Sequence, residues 1–121
     1  TLFKCSKQAG FSAILPDHIP KESGGIYSLF YNQNALSSTL LSKLAAKTQC
    51  SVVGLSCLRR NDLSDYDIIV TQLSDIILSK DLQLSVDTLN KEMERMINVA
   101  PEQYLWRDKR FRKTLNKKKF Y

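Results

Sequence analysis

The sequence predicts an α/β domain: a buried, mainly parallel or mixed sheet flanked by helices, followed by a basic C-terminal tail. Three observations predict it. SVVGLSCL (51–58) and YDIIVTQL (66–73) are short apolar runs, rich in β-branched residues, of strand length. Two other segments, STLLSKLAAKT and the stretch 85–99, repeat their apolar residues at helical spacing. The excess positive charge is confined to residues 101–121.

Taken in order, FSAILPD (11–17) is an apolar run closed by Pro16 and Asp17, which predicts a buried strand delivering Asp17 to its C-terminal end. In HIPKESGGIY, Pro20 and the Gly24-Gly25 pair mark a loop, and YSLFY (27–31) suits a short extended piece. STLLSKLAAKT sets Leu40, Leu41, Leu44 and Ala45 on one helical face, with Ser37 or Ser38 as N-cap. SVVGLSCL, apolar and partly β-branched, predicts a strand buried on both sides. Arg59, Arg60, Asn61 and Asp62 break it, and YDIIVTQL returns as a strand. From about Ser85 to Val99, Leu89, Met93, Met96 and Ile97 form an amphipathic helix with Asp87 near its start, stopped by Pro101. In α/β sheets ligands gather at the carboxyl ends of strands, so Asp17, His18 and the Gly24-Gly25 loop are the first candidates for a site.

At 121 residues the chain is one domain's worth, and residues 1–100 divide naturally from an aromatic and basic segment, 101–121. No run approaches the roughly 18 apolar residues that span a bilayer, and no signal peptide is visible. Thr1 reads as the interior of a domain, so a fragment of a longer protein is expected. The tail holds Arg107, Lys109, Arg110, Arg112, Lys113, Lys117, Lys118 and Lys119 against Glu102 and Asp108, which accounts for the whole net charge of +6. A localised basic cluster meets phosphate, of nucleic acid or of lipid headgroups. Cys5, Cys50 and Cys57 are odd in number and fit thiols of a reducing compartment. With His18 the sole histidine, no zinc set is predicted, and no metal or cofactor is expected.

Each local motif has a functional and a plain reading. Asp17-His18 suits acid–base work at a strand end and is also ordinary loop chemistry. Gly24-Gly25 would let backbone approach a ligand, but neither glycine-rich phosphate motif is present. Arg59 and Arg60 could hold a phosphate or simply be solvated. Tyr104, Trp106 and Phe111, interleaved with arginines, could stack on bases or pack back onto the domain as anchors.

LNKEMERMINVAPEQYLWRDKRFRK resembles the closing segment of the bacterial lipid A biosynthesis acyltransferases, the late lauroyl/myristoyl type. These end in a helix followed by P-E-Q-Y-x-W-x-x-basic-R-F-basic, and Pro101, Glu102, Gln103, Tyr104, Trp106, Arg110, Phe111 and Arg112 fall into it without a gap. LFYNQNALSSTLLSKLAAKTQCSVVGLS is similar to the family's P-F-F-G-x-x-A-x-T and A-x-L-A-x-x-T-G-A-P-V-V-P-V, through Phe30, Ala35, Leu44, Ala45, Thr48, Val52 and Val53. LPDHIPKESGGIY resembles an upstream D-Q…G segment through Asp17 and the glycine pair. The three stand in family order. Departures are Leu29, Tyr31 and Asn32 for Pro, Phe and Gly, Gln49 and Cys50 for Gly and Ala, Gly54 for Pro, and His18 for Gln.

The resemblance implies the C-terminal half of a glycerolipid-acyltransferase-like fold and an acyl transfer from acyl carrier protein to a lipid A precursor. The family's catalytic His, followed five positions later by Asp or Glu, is absent: five residues after His18 stands Ser23. The catalytic pair is therefore expected upstream, and this chain alone is expected to be inert. Asp17, Gly24, Gly25 and Arg59 are expected to line the substrate cleft. Arg107, Lys109, Arg110, Arg112 and Lys113 are expected to face an anionic partner at the cytoplasmic face of the inner membrane: the lipid A precursor, acyl carrier protein or the bilayer surface. Tyr104, Trp106 and Phe111 anchor the tail. The rival expectations are a non-catalytic basic module for nucleic acid or anionic membrane, and a regulatory domain that keeps the scaffold without catalysis. Nucleic acid is disfavoured because it leaves the two upstream matches unexplained.

Overall fold

Regular structure begins at the glycine pair. The computed structural model describes Gln8 and residues 10–113. Strand β1, Gly25–Phe30, turns back through Tyr31 and Asn32 into β2, Gln33–Ser38, with Gly25 opposite Ser38 and Phe30 opposite Gln33. A two-residue hairpin loop requires left-handed backbone, and Tyr31 and Asn32 have φ of 46° and 61°. Asparagine tolerates this; tyrosine does so only when held. Here the Tyr31 N–H donates to Glu94 Oε1 (2.6 Å) and its hydroxyl to Asn98 Oδ1 (2.7 Å).

Helix α1, Leu40–Thr48, starts at Thr39, whose N–H and Oγ1 both donate to the Gly24 carbonyl at 3.2 Å. Of the two serines expected as cap, Ser38 accepts from Leu40 N–H (3.3 Å), while Ser37 is buried within β2. The helix closes on Gln49 at φ 53°, a left-handed cap. Strand β3, Val53–Arg59, pairs antiparallel with β4, Tyr66–Gln72. In the loop between them Asp62 accepts from Ser64 N–H and Oγ, which holds its carboxyl below the usual range. Helix α2, Leu82–Ile97, begins earlier than its apolar repeat because Asp81 caps it, accepting from Leu84 N–H at 3.2 Å. It ends ahead of Pro101, which opens a short 3-10 turn. The core joins Phe30, Ala35, Ala45, Leu73, Ile77, Leu89 and Met93.

Three expectations about the sheet need correction. It is not parallel: the strands form two separate antiparallel hairpins. The reason is connection length, since a parallel pair needs a crossover of a dozen or more residues, and only residues 31–32 and 60–65 lie between paired strands. FSAILPD forms no strand, with Phe11 93% and Leu15 67% exposed. Nor is β3 buried on both faces. Gly54 lies against Met96 and Leu73, whereas Val53, Leu55 and Cys57 share an exposed face with Ile68 and Val70 across the pair. A continuous apolar run looks the same whether or not its second face is covered. The α/β class holds: helices and strands alternate about one core. Among the described residues no helix is long and apolar enough to cross a membrane.

Candidate functional site

The loop before β1, the outer edge of β2 and the chain after α2 meet in one place. Half-buried Asp17 and the Tyr104 hydroxyl are electrostatic neighbours. Burial first, then the negative charge of Asp17, pushes the Tyr104 phenol well above its ordinary 10.0, and the Arg110 charge beside it opposes the shift. Three residues from distant parts of the sequence thus share one electrostatic neighbourhood.

The adjoining loop explains one glycine and not the other. A Cβ on Gly25 would lie 2.6 Å from Pro20 Cγ and 3.0 Å from Leu36 Cγ, so nothing larger fits without moving the loop. A Cβ on Gly24 would meet open space, and it is the Gly24 carbonyl that is used, by Thr39. Through Pro20 and Leu36 this loop abuts the place where Arg110 is held.

Arg110 itself corrects an expectation. It does not face an anionic surface: it is 3% exposed, donating from Nη1 to the Leu36 carbonyl (2.7 Å) and from Nη2 to Ser37 Oγ (2.9 Å). Its guanidinium also lies 5.2 Å from the centre of the Phe30 ring. Ser37 Oγ accepts a further bond from Asn90 Nδ2 (2.9 Å) and donates to the Ala35 carbonyl (3.1 Å), so β2, α2 and the tail share one polar knot. The sequence offered Ser37 only as a helix cap, and Asn90 did not stand out, because an asparagine in a helix looks like a surface residue.

The other tail residues divide. Arg107, Lys109 and Arg112 are exposed, and half-buried Lys113 lends its carbonyl to Leu36 N–H at 3.4 Å. Lys117, Lys118 and Lys119 lie outside the described residues. Tyr104 stacks edge-on to Trp106 at 4.7 Å, Trp106 lies 5.5 Å from Tyr31, and Phe111 lies 5.8 Å from Phe30. The indole N–H of Trp106 donates to the Pro101 carbonyl at 2.8 Å. Arg59 ends β3 in the other hairpin, its side chain exposed and its backbone tied to Gln103. The structure therefore joins Asp17 and the glycine loop to the tail and leaves Arg59 with the second hairpin. His18, the sole histidine of the sequence, is exposed.

The model of the bacterial lipid A biosynthesis acyltransferase family matches residues 2–113. The chain belongs to that family. No curated protein matches it significantly. Two of the departures from the lipid A acyltransferase pattern now have a physical meaning. Asn32 and Gln49 stand where the family carries glycine, and both have left-handed backbone, φ 61° and 53°. These are backbone positions where glycine costs least. The buried Arg110 and half-buried Tyr104 belong to the family's closing motif.

Proposed function

We propose that the protein to which this chain belongs transfers a fatty acyl group from acyl carrier protein to a hydroxyl of a lipid A precursor at the cytoplasmic face of the inner membrane. The match to the family over residues 2–113 supports this reading most directly. In the reaction the acceptor hydroxyl attacks the thioester carbonyl while its proton passes to a histidine base. The C–O ester bond forms, the C–S bond breaks, and the carrier thiol leaves with a proton. The histidine and its acidic partner come from outside these 121 residues, whose single histidine is followed five positions on by Ser23. This chain contributes acceptor recognition. Asp17 and the Gly24-Gly25 loop line the acceptor cleft, and Arg59, set apart on the second hairpin, is not part of it. Exposed Arg107, Lys109 and Arg112, with Lys113, meet lipid phosphates or the acidic carrier, an attraction of about 1 kcal/mol per basic residue near an anionic surface.

The test is an assay of the native-length protein with acyl carrier protein thioester and lipid A precursor, followed by mass spectrometry. A product heavier by one acyl group is expected, and none from the 121-residue chain alone. Absence of product from the native-length protein, with intact thioester recovered, overturns the reading.

A further inference from the structure

Between Tyr104 and Arg110 the chain makes an exposed turn. Leu105, Trp106, Arg107, Asp108 and Lys109 are all exposed, while Tyr104 before them is half-buried and Arg110 after them is buried. The turn is held at both ends. Tyr104 packs edge-on against Trp106 at 4.7 Å, and Arg110 is fixed to the Leu36 carbonyl and Ser37 Oγ. Within it the 3-10 turn Trp106–Asp108 closes on Lys109, whose backbone is left-handed at φ 55° and whose N–H donates to the Trp106 carbonyl at 3.2 Å. A loop ordered in advance gives up little conformational freedom when it docks.

The turn presents carbon and positive charge together. Leu105 is 55% and Trp106 43% exposed, and the one polar atom of the indole is already engaged by the Pro101 carbonyl. Arg107, Lys109 and, just past Arg110, Arg112 are exposed cations, against the single carboxylate of Asp108. Cations alone suffice to attract an acidic protein. An anionic bilayer surface takes both, cations at its phosphates and tryptophan with aliphatic carbon at the acyl boundary beneath. The loop of the second hairpin gives the contrast. Leu63 is 71% exposed there, but Arg60 is bridged to Asp67, and Asp62 and Asp65 leave the loop acidic.

We propose that the turn 105–109 is a membrane foot: Leu105 and Trp106 enter the interface of an anionic lipid bilayer while Arg107, Lys109 and Arg112 meet its phosphates. This rests on the membrane setting of the acyl-transfer reading, and it assigns these cations to lipid and not to the acyl carrier. Arg110 and Tyr104 stay inside and fix the angle at which the foot is presented.

The experiment needs no turnover, so it stands apart from the success or failure of acyl transfer. A photo-cross-linking residue is placed in the native-length protein as Leu105→benzoylphenylalanine or, for contrast, Leu63→benzoylphenylalanine. Each protein is irradiated with vesicles of phosphatidylethanolamine and phosphatidylglycerol in the presence of acyl carrier protein, and adducts are read by mass spectrometry. Lipid adducts are expected from position 105 and not from position 63. Adding Arg107→Gln or Arg112→Gln, each an exposed side chain, lowers the lipid adduct from position 105 about fivefold, the share of one basic residue near an anionic surface. Vesicles of phosphatidylcholine alone give less adduct than the anionic ones. Adducts to acyl carrier protein in place of lipid, no adduct from position 105, equal lipid adducts from 105 and 63, or a yield unmoved by loss of both arginines overturns the inference.

Discussion

A buried guanidinium loses several kcal/mol of hydration unless its donors are engaged. Arg110 engages Leu36 O and Ser37 Oγ at 2.7 and 2.9 Å, both in the chain's interior. Removing it strands the buried Leu36 carbonyl, at a cost of about 1–3 kcal/mol, and empties the space beside the Phe30 ring, while Ser37 Oγ keeps its bond from Asn90. Arg110→Ala is therefore expected to lower the unfolding free energy by about 3 kcal/mol. Arg110→Lys recovers less than half, because a single ammonium cannot span two acceptors as a planar fork does. Exposed Arg112, two residues on, changes stability by less than about 0.5 kcal/mol when cut to alanine. Urea unfolding of the three variants checks this, and equal losses at 110 and 112 would return Arg110 to the surface. Charge counting could not make this distinction. A net +6 says that a tail is basic and nothing about which guanidinium turns inward.

The two hairpins leave outward-facing backbone on their edges, and side chains fill part of it. Leu36 and Tyr27 face each other in a pair whose N–H and C=O groups point outward. Leu36 takes Arg110 and Lys113, and the Tyr27 carbonyl accepts from Gln83 at 3.0 Å. At Arg59 the Gln103 amide accepts the N–H (2.7 Å) and donates to the C=O (3.1 Å), as the backbone of a third strand would. Gln103→Ala is expected to speed hydrogen exchange of the Arg59 amide about fivefold, the protection that a bond worth about 1 kcal/mol sustains. Unchanged exchange would mean that the tie does not form in solution. At this scale the sequence was informative where periodicity was unambiguous: α1 and β4 lie where their patterns place them, α2 forms but starts at Leu82, ahead of its apolar repeat, while β1 starts at Gly25, within the glycine pair read as a loop, and β2 was not read from the sequence. It misled where FSAILPD and SVVGLSCL offered only apolarity, because a run of that kind specifies neither a partner strand nor a cover for its second face.

The candidate site belongs to the whole molecule, since Asp17, Arg110 and Ser37 come together only when loop, tail and β2 have packed. Asp17 was singled out by a strand end that does not form, and of the glycine pair only Gly25 has close neighbours that exclude a side chain. The hydroxyl of Tyr104 was legible only as part of a motif, its partner being 87 positions away in the chain. That contact gives the protein an alkaline limit whose direction can be worked out. The Tyr104 phenol is raised from 10.0 in the folded state by burial and by Asp17, and Tyr31 is raised by burial and by Glu94. The unfolded chain, with ordinary phenols, loses these protons first. Above about pH 10 the folded state binds more protons than the unfolded one, so the unfolding free energy falls as pH rises. The slope approaches about 1.4 kcal/mol per pH unit for Tyr104, and below about pH 9 it vanishes. Denaturant unfolding between about pH 9 and pH 11 should therefore show a decline in the wild type. Tyr104→Phe should flatten it, leaving the share of Tyr31. Asp17→Asn should flatten it less, because burial, the larger cause, persists without the carboxylate. A Tyr104→Phe variant that declines as steeply as the wild type would show that the buried phenol does not hold its proton beyond its ordinary range.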